Sequence, residues 1–347
     1  MGAATVLTNP QLIKREEWQR FVDEHRRGTA FYRPEMIDVY TSTHGYSPVF
    51  TCAVDEQGRI SGLMIGVLQR PWRSLVGSLA SRTVVWGAPL VRNDCAKTLD
   101  ALLRTNEQTT PRPRIYTEFR HLHDATWSMP SFDRAGYEYE EHYTVLLDLS
   151  EPEEIRWKRM TAFRRKNVKK ALREGIAMRE ISEDDDISKT HEFVLGLYAR
   201  LRLPSPPLSY FRGLAKHLRP PGLVRYFGAY HHDRLVASRI ILCHRRWMYD
   251  LWAGGDESVS DLQATTALPW HIFNWGSAHG FVTFDFGGAG KPGVPYGVRD
   301  YKLAYGGELT TFGRHRRSRN RWLFRAGSGM VRLAMRTNRN ARRSRDL

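Results

Sequence analysis

At 347 residues, with 41% hydrophobic and 26% charged side chains, the chain has the composition of a folded protein and the length of two medium domains, which excludes a disordered polymer. Its formal charge of +16 is concentrated at one end: twelve arginines against one acid from Arg314 onward carry +11 of it and leave +5 on a mildly basic body.

No apolar run approaches the roughly 18 to 20 residues of a membrane helix. The amino terminus lacks a basic segment followed by an apolar one, so it does not read as a secretory signal, and a cytoplasmic protein is expected. Cys52, Cys95 and Cys243 are odd in number and far apart, and the histidines lack the spacing of a helical zinc site. No disulfide framework or metal centre is expected.

The first strong pattern is "PVFTCAVDEQGRISGLMIGVLQRPW", two apolar, β-branched runs around a turn at Asp55 to Arg59 with Gly58 at its tip, which predicts a hairpin. "FDRAGYEYEEHYTVLLDLS", Phe132 to Ser150, then reads as a helix end, a capping glycine and an aromatic-rich strand. Both patterns return later. "GLVRYFGAYHHDRLVASRIILCHRRWMYDLW" is a second hairpin, turning at His231 to Arg234, and "WGSAHGFVTFDFGG", Trp275 to Gly288, repeats helix end, glycine and strand. The repetition predicts two copies of one α/β unit joined near Ser150 to Trp157, giving domains at 1–150 and 151–313 and an arginine-rich tail at 314–347.

Between the copies, Trp157, Met160, Phe163, Val168, Ala171 and Leu172 fall near helical spacing, with Gly175 closing the helix. Arg164, Arg165, Lys166, Lys169 and Lys170 fill the other face, which is either a solvated basic face or a surface for anionic ligands such as RNA phosphates. A further helix, Ile187 to Arg202, ends where Pro204, Pro206 and Pro207 impose an extended loop, so that Arg202 and Tyr210 flank a rigid turn. In the tail, Trp322, Leu323, Phe324, Met330, Val331, Leu333, Ala334 and Met335 interleave with arginines, including Arg316 and Arg317 at its start. That pattern suits an amphipathic helix on an anionic membrane, a non-specific RNA contact, or a solubilising tail.

The sequence has neither a GxxxxGK[ST] phosphate loop nor a GxSxG elbow, so hydrolysis of the Walker kind and serine nucleophiles are not expected. The chemistry gathers in "HGFVTFDFGGAGKPGVPYGVRDYKLAYGGEL". Alternation of Phe281, Thr283 and Asp285 against Val282, Phe284 and Phe286 makes a two-faced strand with Asp285 at its carboxyl end, where α/β sheets place ligands. Gly287 and Gly288 allow close backbone approach, and a short helix returns Lys302 to the same strand end.

The run from "YDLWAGGDES" through "GFVTFDFGGAG" to "GVRDYKLAYGGEL" resembles the carboxyl-terminal signature of the Fem aminoacyltransferases, a branch of the GNAT-like acyltransferases. "RRKNVKKALREG", in which Arg165, Val168, Lys170, Ala171 and Gly175 match, is similar to that family's central helix, and the early hairpin is similar to its first domain. The resemblance spans Phe31 to Leu309 in separate motifs. It implies an α/β fold of two tandem GNAT-like domains with mixed central sheets, in the compact form without the helical arm of FemA and FemB.

The implied activity is transfer of an amino acid from aminoacyl-tRNA to an amine of a peptidoglycan or other envelope precursor, with no bound cofactor. The alternatives are an acetyl-CoA-dependent N-acyltransferase and a non-catalytic RNA- or membrane-binding scaffold. The resemblance places Lys302 at the oxyanion, Tyr301 at the pocket wall, and Arg202 and Tyr210 toward the precursor's diphosphate. Tyr249 and Trp252 either line the acyl channel or fill the core, and Asp285 either takes the amine's proton or caps the Gly287 turn. Arg164, Arg165, Lys169, Arg316 and Arg317 are the expected contacts to tRNA or membrane.

Overall fold

In a computed structural model, residues 5–70, 81–111, 114–201 and 203–318 are described. The first half carries β1 (Thr5–Leu7), α1 (Arg15–Glu24), α2 (Glu35–Ser42), β2 (Tyr46–Val54), β3 (Ile60–Gln69), β4 (Arg82–Trp86), β5 (Leu90–Val91), α3 (Ala96–Thr109), β6 (Tyr116–Arg120), α4 (Met129–Arg134) and β7 (Glu138–Glu140). The second carries β8 (Tyr143–Asp148), α5 (Glu153–Arg159), α6 (Ala162–Arg173), β9 (Ala177–Glu180), α7 (Asp184–Leu201), α8 (Leu208–Leu218), β10 (Val224–His231), β11 (Arg234–His244), β12 (Trp247–Gly255), α9 (Ala264–Ala278), β13 (Thr283–Gly288), α10 (Gly297–Leu303), β14 (Glu308–Thr311) and β15 (Arg314–Ser318). No helix among the described residues is long and apolar enough to cross a membrane.

Both hairpins form where the sequence places them, by different local chemistry. At the first, the Asp55 carboxylate accepts from the Gln57 and Arg59 amides at 3.0 and 2.9 Å, and Gly58 takes φ +75°. At the second, His232 and Asp233 both adopt positive φ, 46° and 60°, the two-residue turn whose twist matches that of antiparallel strands.

The strands form two mixed sheets, ordered β1-β2-β3-β4-β6-β15-β7 and β14-β8-β13-β12-β11-β10-β9, with β5 on β3. Each sheet contains one parallel pair, β4 with β6 and β12 with β13. The connections at the carboxyl ends are crossed. β8 leaves β7 and enters the second sheet between β13 and β14, whereas β15 leaves β14 and enters the first sheet between β6 and β7.

That exchange moves both expected boundaries. The strand that ends the 1–150 segment belongs to the second sheet, and Arg314–Ser318, expected as the start of a tail, is an interior strand of the first. The reason is visible in His315, which is fully buried and stacks on Phe132 at 4.2 Å. Charge density along the tail conceals this single inward-facing ring. The remaining tail residues, with the amphipathic pattern from Trp322, lie outside the described residues.

One hydrophobic cluster crosses between the halves, joining Trp18, Phe31, Tyr32 and Met36 to Tyr210, Phe211, Tyr226 and Tyr249. Two others back the outer faces of the sheets, around Leu99, Leu102 and Phe119 in the first and around Phe273, Phe284 and Phe286 in the second. Helices α2 and α8 meet so closely that a Cβ at Gly213 would stand 3.4 Å from the Val39 carbonyl oxygen.

Ending the chain at Gly313 instead of Ser318 removes β15 and empties the site of His315. We expect the shorter chain to lose more than about 4 kcal/mol of stability relative to the longer one, the scale of large core disruption. Comparing urea unfolding of the two truncated proteins checks this; equal midpoints would mean that β15 is dispensable.

Candidate active site

The parallel strands β12 and β13 pair only from Trp247 to Tyr249 and from Thr283 to Asp285, after which they part. On its other edge, β12 carries an extra residue: Ile240 faces Trp252 and Ile241 faces Asp250, so Leu251 is a bulge at the point of separation. A bulge bends and twists its strand, which helps to open the gap. The gap lies at the carboxyl ends of both strands, as expected for a ligand site in an α/β sheet.

Along β13, Phe284 and Phe286 enter the core behind the sheet while Asp285 is buried on the opposite side. Asp285 Oδ1 accepts from Thr144 Oγ1 at 2.6 Å and from the Gly287 amide at 2.7 Å. Burial raises its carboxyl to about 6 against those two hydrogen bonds. The acid therefore ties β8 to β13 and caps the turn at Gly287. Gly287 needs φ +69°, and a Cβ there would stand 3.0 Å from the Tyr249 hydroxyl.

Lys302 is returned to this strand end by α10 and is buried. Its ammonium donates to the carbonyls of Phe286, Gly287 and Gly288 at 2.6, 3.1 and 2.7 Å, which places all three of its protons. Burial lowers the ammonium to about 8, with Asp250 and Asp285 opposing. Asp250, on β12 beside the bulge, ion-pairs with Arg239, and burial raises its carboxyl against that partner. Asp250 Oδ1 is buried with no hydrogen-bond partner among the described residues.

Arg239 also donates to the Tyr301 hydroxyl at 2.9 Å, which in turn donates to the Thr265 carbonyl at 3.0 Å. Arg164 completes the wall. Its guanidinium lies 4.4 and 4.7 Å from the Tyr301 and Tyr305 ring centres and donates to Thr266 Oγ1 at 3.2 Å and the Tyr301 carbonyl at 3.3 Å.

The structure thus brings together Lys302, Asp285, Tyr301, Gly287 and Gly288, and separates other expected residues from solvent. Arg164 is buried, and its planar group is spent on aromatic faces and a carbonyl, so it is no part of an exposed anion-binding surface. Arg165 donates to the carbonyls of Met160 and, at 3.1 Å, Lys158, fastening the end of α5. Lys169 stays exposed, with its ammonium 5.9 Å from the Trp157 ring. Arg316 donates to Glu118 and Glu140 at 2.8 and 3.2 Å, and Arg317 faces Glu107 at 3.8 Å; both sit in β15 rather than on a tail.

Tyr210 is only 4% exposed, and Tyr249 is buried against Phe31 and Trp86 across the domain boundary. Trp252 is half-buried, packed on Tyr198 at 5.0 Å. A tyrosine as enclosed as Tyr210 offers no face to a diphosphate. Arg202 lies outside the described residues.

Sequence reading missed Arg239, Asp250 and Thr144. The usable signal was a charge inside an otherwise apolar run, as in "ASRIIL" and "YDLW". Strands buried on both faces hold such charges only in pairs.

Comparison with known proteins bears on the fold. Residues 162–303 match the family model described as an acetyltransferase (GNAT) domain. A comparison with curated protein sequences returns no match. Among solved structures, FemX superposes with a TM-score of 0.69 at 13% identity, over 90% of this chain and 98% of its own. A tandem GNAT protein from the clavulanic acid biosynthesis pathway gives 0.57 at 11% identity, over 91% and 98%. L-PGS from Bacillus licheniformis gives 0.56 at 16%, over 92% and 96%. Two mixed sheets, each with a parallel pair, give the chain the fold of tandem GNAT proteins, with the match to the acetyltransferase (GNAT) domain lying across the second. The two-domain fold is similar to that of FemX.

The buried ammonium gives a pH signature. Lys302 releases its proton at about 8 in the fold but at about 10.5 when unfolded, so between those values the unfolded chain binds more protons and stability gains as pH rises. We expect the urea midpoint of the parent to rise from pH 8 to pH 10 relative to that of Lys302→Met. Parallel pH profiles would contradict the buried charge.

Proposed function

We propose that the chain transfers an aminoacyl group from aminoacyl-tRNA to an amine of an envelope precursor such as a lipid- or nucleotide-linked peptidoglycan peptide, with the reaction in the gap between β12 and β13. The observation that carries this reading is the Asp250 Oδ1 in that gap, buried with no hydrogen-bond partner among the described residues. A buried carboxylate oxygen without a donor is costly. The α-ammonium of an aminoacyl donor supplies the missing donor, whereas an acetyl group has no cation to offer.

The rest of the site suits transfer from an activated ester. Attack by the acceptor amine on the acyl carbon forms a tetrahedral oxyanion, and the leaving ribose oxygen takes up a proton as the ester bond breaks. No protein nucleophile is needed. Cys243, a buried thiol in β11, is pushed by burial up to about 12 and does not supply a thiolate. Lys302 acts here through its charge. Its protons hold three carbonyls at the end of β13, so the ammonium fixes the strand and sets a positive potential at the gap, where an oxyanion is stabilised without reorganisation. Asp285 and Tyr301 are positioning residues by the same reading, the first holding the Gly287 turn and the second orienting Arg239.

The loop after β12 also favours the aminoacyl donor over acetyl-CoA. It carries Asp256, Glu257 and Asp261 and no lysine or arginine before α9 begins at Ala264. A pyrophosphate at that helix start would meet acidic side chains where basic ones or a glycine-rich loop are expected.

The test supplies labelled aminoacyl-tRNA and, separately, labelled acetyl-CoA together with an extract of peptidoglycan precursors. Label should pass from the tRNA and be abolished by ribonuclease; transfer from acetyl-CoA alone would replace this reading with the acetyltransferase one. With the competent donor, Asp250→Asn should lower kcat/KM on the order of 100-fold, and Lys302→Ala should lower kcat on the order of 100- to 1,000-fold, the range for losing a main electrostatic group. Unchanged rates in folded variants would remove these residues from the mechanism.

A further inference from the structure

A second charge cluster lies on the other side of the same strand end, contributed by the first sheet. Arg120 ends β6 and Arg314 begins β15, and the two are directly opposed in the register of that antiparallel pair. Like charges facing each other across two strands are destabilising. Among the described residues their shared counter-charge is Glu118, one register step deeper and 2% exposed, to which Arg120 donates at 2.6 Å. Arg314 approaches the same carboxylate at 3.6 Å, and Arg316 bonds it at 2.8 Å. One carboxylate thus serves three guanidinium groups. The next acid, Glu140, is already taken by Arg316 and Lys291.

The consequence is unused hydrogen-bonding capacity held at close quarters. Among the described residues, Arg314 makes no side-chain hydrogen bond, and Arg120 uses only its Nε while its plane lies 4.9 Å over Trp86. Both side chains remain reachable, 24% exposed for Arg120 and 22% for Arg314. Burial together with the like charge of Arg120 lowers the Arg314 guanidinium to about 10, while burial of Glu118 is outweighed by its three arginines, which hold that acid well below the usual carboxylate range.

The cluster adjoins the reaction gap. An Arg314 terminal nitrogen lies 3.4 Å from where a Cβ would stand on Gly288, an exposed residue whose carbonyl accepts from Lys302. The charges of Arg120 and Arg314 also act on Tyr249, whose hydroxyl borders Gly287.

We propose that Arg120 and Arg314 form an oxyanion subsite that binds a phosphate or carboxylate group of the acceptor substrate between the two domains. Two planar forks side by side match an oxygen pair bidentately, and an incoming anion removes the repulsion between them. The arginines belong to the first sheet while the donor's acyl group occupies a gap in the second, so the anion they hold is carried by the molecule that enters across the boundary. Only the word acceptor rests on the acyl-transfer reading; the binding is tested without turnover.

The experiment titrates inorganic pyrophosphate and, separately, glutarate into the full chain by calorimetry at fixed ionic strength, with the parent, Arg314→Gln and Arg316→Gln. The parent should bind at least one anion, and the preferred one assigns the group as phosphate or carboxylate. Arg314→Gln should weaken that binding at least tenfold while its thermal midpoint stays level or rises, because a like-charge pair has been relieved. Arg316→Gln should show the reverse, a lower midpoint with binding retained. Failure of the parent to bind either anion, or equal affinity in Arg314→Gln, overturns the proposal. A failed transfer assay with these binding results intact would count against the donor reading alone.

Discussion

The structure depends on one topological constraint, the reciprocal exchange of β8 and β15. Each sheet holds, between two of its strands, one that directly follows in the chain a strand of the other sheet. A cross-connected pair of sheets cannot slide or hinge freely, and a large aromatic cluster is shared between them. The site inherits that rigidity. Thr144, which holds Asp285, comes from the exchanged β8, and Arg314, beside Gly288, opens the exchanged β15. Both exchanged strands therefore contribute side chains around the gap between β12 and β13.

Within the gap, charge is arranged by burial and by opposition. Lys302, Arg239, Asp250 and Asp285 lie in one enclosed group, with each ionised form disfavoured by burial and sustained by its neighbours. Such groups are preorganised in the sense that matters for acyl transfer: their dipoles and charges are already oriented before the carbonyl oxygen gains charge. The glycines serve the same end. Gly287 keeps the strand end narrow enough for three carbonyls to converge on one ammonium.

Much of this was legible in the sequence because it is local. Both hairpins, the two-faced strand at Asp285, the glycine turn and the return of Lys302 to the strand end follow from alternation, turn chemistry and spacing. What was not legible is pairing over long separations. Nothing near Arg314 announces that its partners are Arg120 and Glu140, because strand partners are chosen by tertiary packing, and the arginine-rich composition points outward. Arg164 and Arg165 misled for a related reason. A basic helix face reads as solvated, yet a guanidinium can also lie flat against tyrosine rings or close a neighbouring helix, and only the third dimension distinguishes these uses.

The late position of β15 has a consequence for biosynthesis. The first sheet occupies the first part of the chain, yet its interior strand leaves the ribosome only after residue 318, nearly two hundred residues after β6 and β7. Until then β6 and β7 stand with open edges and His121 and Phe132 lack the ring that covers them. Nascent domains usually fold in order of synthesis. Here the amino-terminal domain is the last to be completed, and a ribosome that stops short of β15 releases a second domain already supplied with β8 beside a first one that cannot close.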